Sequence, residues 1–204
     1  MLIYLVRHGE TEYNQRGLGL GRADVSLTPH GERQVKALGV RLSTARIDCI
    51  YTSPLARCVS TATQVAGGRD IAIQRRDELL ELDVGETEGL AFPEMREKYP
   101  EFLKAWAGPT GVDIRMPAGE SLRDLERRLI PFAGQLLESP AEAVAVVSHN
   151  FVTRILLTHL LGLDISAFRS LNVDLASLTT ITIRNKRAAI RALNDCCHLH
   201  ALEP

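Results

Sequence analysis

Short apolar runs rich in β-branched residues alternate along this chain with longer amphipathic segments, and this alternation restricts the fold more than any other feature. Residues 2–6, 47–51 and 143–147 are nearly continuous apolar runs, as strands buried on both faces of a parallel sheet must be. The pattern predicts an α/β protein: a three-layer α/β/α sandwich with a mostly parallel sheet, helices on both faces and a small helical cap insertion.

Start and stop signals place the elements between those runs. Thr28-Pro29 opens a helix to about Leu42, with Val35, Leu38 and Leu42 on one face and proline at the favoured first position. Ser53-Pro54 repeats the signal, a capping hydroxyl before proline, for a helix that stops near Gly67-Gly68 and carries Arg57 in its first turn. Residues 71–73 read as a short strand. Ser121 with Asp124 forms a capping-box-like start for a helix bearing Leu122, Leu125, Leu129 and Phe132, with a kink expected at Pro131. An apolar helix over 151–161 stops at Gly162. Residues 179–183 and 188–193 alternate like a hairpin around Asn185-Lys186. One domain over 1–204 is expected, with a Pro- and Gly-rich cap-like insertion at about 90–118 that holds Phe102 and Trp106, read as cap packing.

With 24 basic and 25 acidic residues, net charge −1, no overall field draws the chain toward nucleic acid or an anionic membrane. Residues 2–6 lack the basic lead and the length of a targeting or spanning segment, so secretion is not expected. Cys49, Cys58, Cys196 and Cys197 show neither disulfide-scaffold nor zinc spacing. A reducing cytoplasm suits them, and no metal or cofactor is expected. His30, His159, His198 and His200 read as surface or packing residues. The sequence leaves a homodimer open.

Chemistry concentrates where strands end and helices begin: Arg7-His8-Gly9, Ser53 to Arg57, and Ser148-His149. Ligands bind at the carboxyl ends of strands in open parallel sheets, and helix N-termini there favour anions. Two arginines, each able to fork two donors onto phosphate oxygens, with two imidazoles, point to a phosphate-bearing small molecule.

Residues 5–14 (LVRHGETEYN), 52–57 (TSPLAR), 81–89 (ELDVGETEG), 117–122 (PAGESL) and 147–149 (VSH) resemble, in order, five blocks of the histidine phosphatase superfamily, phosphoglycerate-mutase-like branch. The resemblance spans nearly the whole chain. It implies that His8 attacks phosphorus, that Arg7, Arg57 and His149 hold the phosphoryl oxygens, and that Glu81 protonates the leaving oxygen and then activates water. Asn14 and the Thr11 region resemble further contacts to the transferred group. Glu78, Asp83, Glu86 and Glu88 crowd the stretch around Glu81, and most of them read as solvated charges. The implied activity is metal-independent hydrolysis of a small phosphomonoester through a phosphohistidine. Phosphoserine, a phosphoglycerate, a sugar phosphate and ribazole phosphate all suit relatives of this size. An active phosphoglycerate mutase is one rival, and a non-catalytic phospholigand-binding module is another.

The chain departs from the family in the loop before Gly21. Family members commonly read Gly-Arg-x-Gln-Gly there, whereas this chain reads Gly17-Leu18-Gly19-Leu20-Gly21, so Leu20 cannot give the amide contact and the entrance becomes more apolar. Ser26 stands where proline is usual. Asn150 replaces a usual glycine after His149, adding a candidate leaving-group contact. Mutases of the branch follow the tryptophan with two arginines, where this chain has Ala107-Gly108, and its cap is shorter than theirs; both differences favour hydrolysis. Leu20→Gln should raise turnover of p-nitrophenyl phosphate, and unchanged or lower steady-state kinetics would count against this placement of the loop.

Overall fold

Period-two burial of the strands decides the layering. The computed structural model describes residues 1–185 and 187–202. Its sheet has six strands, β1 (Leu2–Arg7), β2 (Cys49–Thr52), β3 (Ala72–Arg75), β4 (Ala143–Ser148), β5 (Leu178–Arg184) and β6 (Arg187–Asp195), in the order β3-β2-β4-β1-β5-β6. β3, β2, β4 and β1 run parallel, and β5 and β6 close one edge antiparallel. Every residue of β4 is buried, as its continuous apolar run requires.

Seven helices surround this sheet: α1 (Glu12–Gln15), α2 (Pro29–Arg41), α3 (Ala56–Ala66), α4 (Phe92–Lys98), α5 (Pro100–Ala107), α6 (Leu122–Glu138) and α7 (Asn150–Leu161). Ile3, Leu5, Val144 and Val146 point into one core, which α6 and α7 cover. Val6, Ala145 and Val147 point into the other, covered by α2 and α3. The result is the three-layer α/β/α sandwich expected from the alternation. α4, α5 and a 3-10 turn at Gly111–Asp113 lie between β3 and α6, within the segment expected to form a cap, and Phe102 and Trp106 pack against the core on the α7 side. Among the described residues, no helix is long and apolar enough to cross a membrane.

Local signals explain most boundaries. The Thr28 hydroxyl accepts from the Gly31 amide to start α2. Gly67 and Gly162 end α3 and α7 in the left-handed conformation that glycine adopts without steric cost. α6 runs through Pro131 to Glu138. An interior proline costs about 3 kcal/mol or more, but burial of Leu122, Leu125, Leu129, Phe132 and Leu136 contributes roughly 1.5–3 kcal/mol each, so packing outweighs the break. β2 and β3 begin at Cys49 and Ala72, slightly later than the apolar runs suggested. The hairpin expected around Asn185-Lys186 is observed as β5 and β6; Lys186 lies outside the described residues.

The Ser53 expectation needs correction. α3 starts at Ala56, its N-cap is Leu55, and no side chain caps it. The Ser53 hydroxyl is 2.8 Å from Nε2 of His149 instead, so a residue that resembles a cap in sequence is a contact of the site.

Ser121 does cap. Its hydroxyl accepts from the Asp124 amide and donates to the Asp124 carboxylate, which in turn accepts from the Ser121 amide. Ser121→Ala should lower stability by about 1 kcal/mol, read from the urea midpoint at unchanged slope; a loss below a few tenths would show that the cap contributes little to α6.

Candidate active site

Strand register brings the candidate residues together. β1 and β4 pair from Leu2↔Ala143 to Arg7↔Ser148, so His8 and His149 leave adjacent parallel strands side by side, and the His8 amide donates to the Ser148 carbonyl at 3.0 Å. β2 pairs with β4 on its other edge, and the Ser53 amide donates to Val147 at 3.0 Å. All three chemistry-bearing segments therefore meet at the carboxyl ends of neighbouring strands. The His8 and His149 rings lie 5.2 Å apart, edge to face.

Both histidines are buried. Nδ1 of His8 lies 2.7 Å from the Gly9 carbonyl, and a carbonyl can only accept, so Nδ1 carries the proton and Nε2 keeps a free lone pair. Burial holds the His8 proton affinity well below the ordinary histidine range, and the nearby Arg7 and Arg57 charges lower it further. His149 is depressed in the same way by burial, Arg57, His8 and Arg7. The thiol of Cys58, pushed up by burial, packs 3.5 Å from Nε2 of His149. Gly9 must be glycine because a Cβ there would meet the Gly31 carbonyl at 2.8 Å.

Arg57 is fully buried, and among the described residues it has no paired carboxylate. Its two terminal nitrogens donate to the carbonyls of Ala23 and Gly21 at 2.7 Å each. Arg7 donates to the Val173 carbonyl at 2.7 Å, and burial lowers its pKa to about 10. Nε of both guanidinium groups is buried and unpartnered among the described residues. Two desolvated cations with spare donors make a strong anion-binding element.

Glu81 is buried at the amino end of α7, where its carboxylate accepts from the Phe151 and Val152 amides at 3.2 and 3.4 Å, and from its neighbour Leu82 at 2.9 Å. Burial raises its pKa despite these bonds and the Arg7 and Arg57 charges. A carboxyl held toward its protonated form beside two cations is suited to proton transfer.

Thr11 and Asn14 bond each other in a capping box on α1: the Thr11 hydroxyl donates to Oδ1 of Asn14 at 2.8 Å. Asn14 and Arg7 also share an open cavity of about 570 Å³ with Gln34 and Asp174. Gly21 is needed because a Cβ there would meet the Leu82 carbonyl at 2.7 Å. Leu20 lines a separate, apolar cavity of about 220 Å³ with Phe102, Trp106, Met116 and Phe151. Asn150 opens α7, with Oδ1 buried and unpartnered.

The acidic stretch around Glu81 is more structural than its charge pattern suggested. Glu88 accepts from the amides of Gly21, Arg22 and Ala23 at 2.7, 3.2 and 3.1 Å, so it fixes the loop whose carbonyls hold Arg57. Glu120 accepts from Arg22, Arg128 and the Asp83 amide. Arg128 is only 8 residues from Glu120, but Asp83 and Arg22 are 37 and 98 residues from it and the Glu88 partners are up to 67 residues away, and no local signal could have found these distant contacts.

The fold and this arrangement define a class: α/β sandwiches in which the carboxyl ends of central parallel strands and the start of a following helix bring two histidines and two arginines together. The chain belongs to the histidine phosphatase superfamily (branch 1), whose model matches residues 3–196, and it is a phosphatase of the phosphoglycerate-mutase-like branch. It is 36% identical over 199 residues to phosphoserine phosphatase 1 of Hydrogenobacter thermophilus, covering 97% of this chain and 93% of that one. It is 34% identical over 166 residues to a 2,3-bisphosphoglycerate-dependent phosphoglycerate mutase of Cytophaga hutchinsonii, covering 78% and 76%. The crystal structure of the alpha-ribazole phosphatase from Shigella flexneri superposes with a TM-score of 0.88 at 29% identity, covering 96% of this chain and 97% of that one.

Burying two neutral histidines ties stability to pH. Unfolded histidine protonates near pH 6.5, whereas folded His8 and His149 do so only at much lower pH. Below 6.5 the unfolded state thus binds more protons, and stability falls as pH falls. Between pH 7.5 and 5.5, His8→Asn should lose about 1 kcal/mol less stability than the wild type by urea titration; equal losses would show that folded His8 titrates normally.

Proposed function

We propose that this phosphatase hydrolyses a small phosphomonoester without metal, through a phosphohistidine on His8. The observation that carries the reading is the fixed tautomer of His8, which leaves Nε2 free on a ring that lies 5.2 Å from that of His149 and within the field of the Arg7 and Arg57 charges.

In the first step the Nε2 lone pair of His8 attacks phosphorus as the phosphorus–oxygen bond to the leaving group breaks. The leaving oxygen takes the electron pair and the proton of Glu81. Arg7 and Arg57 neutralise the equatorial oxygens, and the arriving dianion raises the proton affinity of His149, which then donates a hydrogen bond. Asn14 adds an amide donor on the Arg7 side. In the second step a water attacks phosphorus and gives a proton to the Glu81 carboxylate. The phosphorus–nitrogen bond then breaks, its electron pair returns to Nε2, and inorganic phosphate leaves. The open cavity beside Arg7 and Asn14 would bring solvent to the Arg7 side of the site, which supports hydrolysis over retention of the phosphoryl group for a mutase cycle. Leu20, Gly21 and Asn150 border the leaving group. Four free cysteines suit a reducing cytoplasm.

Glu81→Gln should separate the two steps. Because p-nitrophenolate leaves without a proton, this variant should release about one equivalent of it in a burst, followed by slow turnover as phospho-His8 accumulates. His8→Ala should abolish turnover of the same substrate in the presence of chelator. Burst-free turnover with no acid-labile phosphate on the protein would overturn the phosphohistidine, and activity that appears only with added bisphosphoglycerate would indicate a mutase.

A further inference from the structure

A third cation near the site has no assigned task. Arg154 lies on α7 four residues after Asn150, so the two share a helix face one turn apart. Arg154 is half-buried, its Nε is buried and unpartnered among the described residues, and Oδ1 of Asn150 is in the same condition. Arg22 pairs with Asp83 and Glu120, Arg128 with Glu120 and Arg76 with Glu78, while the guanidinium of partly buried Arg69 is satisfied by the carbonyls of Val65, Ala66 and Ala45. Arg154 makes no such pair among the described residues. The Glu81 and Asp174 charges act on it, and its own charge depresses Arg7, so it belongs to the electrostatics of the pocket.

Counting charge indicates what it faces. A phosphomonoester dianion balances Arg7 and Arg57. Glu81 must be protonated at the start of the reaction, and Asp174 is exposed at the rim, where its carboxylate accepts from Asn194 at 2.7 Å. One positive charge on Arg154 is left over. We infer that Arg154 is a specificity-determining residue that pairs with a carboxylate on the leaving group, with the Asn150 amide beside it taking a hydroxyl or ammonium of the same leaving group. The preferred substrate is then a phosphorylated small hydroxy or amino acid. This inference rests on the phosphatase reading of the same pocket.

The test compares kcat/KM for O-phosphoserine with that for O-phosphoethanolamine, which lacks only the carboxylate, in the wild type, Arg154→Met and Arg154→Lys. The wild type should prefer phosphoserine by about tenfold to a hundredfold, the range expected for one charge-assisted hydrogen-bonded contact. Arg154→Met should bring the ratio near one, and Arg154→Lys should restore part of it. A wild-type ratio near one, or a ratio that survives in Arg154→Met, would overturn the assignment while leaving the phosphatase reading intact. Equal losses on both substrates would also overturn it, placing Arg154 on the transferred phosphoryl group. No turnover of either substrate, or of p-nitrophenyl phosphate, by the wild type would overturn the phosphatase reading as well. If Arg154→Met does not fold, the ratio in Arg154→Lys decides, since a lysine lacks the fork and should still lower it.

Discussion

The site depends on keeping a fully buried guanidinium charged. Among the described residues Arg57 has no carboxylate partner; the carbonyls of Gly21 and Ala23 supply partial negative charge in its place. Those carbonyls point inward because Glu88 grips the amides of residues 21 to 23 from the other side. A direct Arg–carboxylate pair would neutralise the cation and lower its affinity for phosphate. Carbonyl dipoles orient the group while leaving its net charge available to an anion. The anionic partner is thus kept one peptide layer away, where it orders the loop without quenching Arg57.

The same separation of roles appears at α7. Its N-terminal amides, which could bind phosphate directly, donate instead to Glu81. They lower the carboxyl pKa while burial raises it, and burial prevails. The balance holds Glu81 toward the protonated form that its proposed role, an acid that later serves as a base, would start from. Ser53 shows how closely packing and chemistry overlap, because its hydroxyl contacts the His149 imidazole and leaves α3 without a side-chain cap.

Much of this was legible in the sequence, and the reasons are physical. Strand burial and helix caps are local, so the α/β alternation, the Thr28 and Ser121 caps and the Gly67 and Gly162 stops could be read from neighbouring residues. His8, Arg57 and His149 could be placed because parallel strands end at one side of a sheet. Glu88 and Glu120 could not, since their partners are brought close only by the fold. Arg154 was hidden for a related reason: on an apolar helix a lone arginine reads as a solvated residue, and only its half-burial with an Nε that has no partner among the described residues marks it out.

Electrostatics then constrains what such a pocket can bind. Arg7, Arg57 and Arg154 concentrate positive charge around two imidazoles that burial keeps neutral. A neutral ligand would leave those cations uncompensated in a low-dielectric site, and a monoanion would compensate only one of them. The arrangement selects for charge number first and shape second. Under the proposed assignment, the Asn150–Arg154 face of α7 would meet the leaving group, and the separate apolar cavity behind Leu20 would offer an apolar alternative to it. On that proposal an acidic leaving group would gain from the first surface and lose at the second, whereas an apolar one would do the reverse, so the relative strength of the two would set the substrate preference.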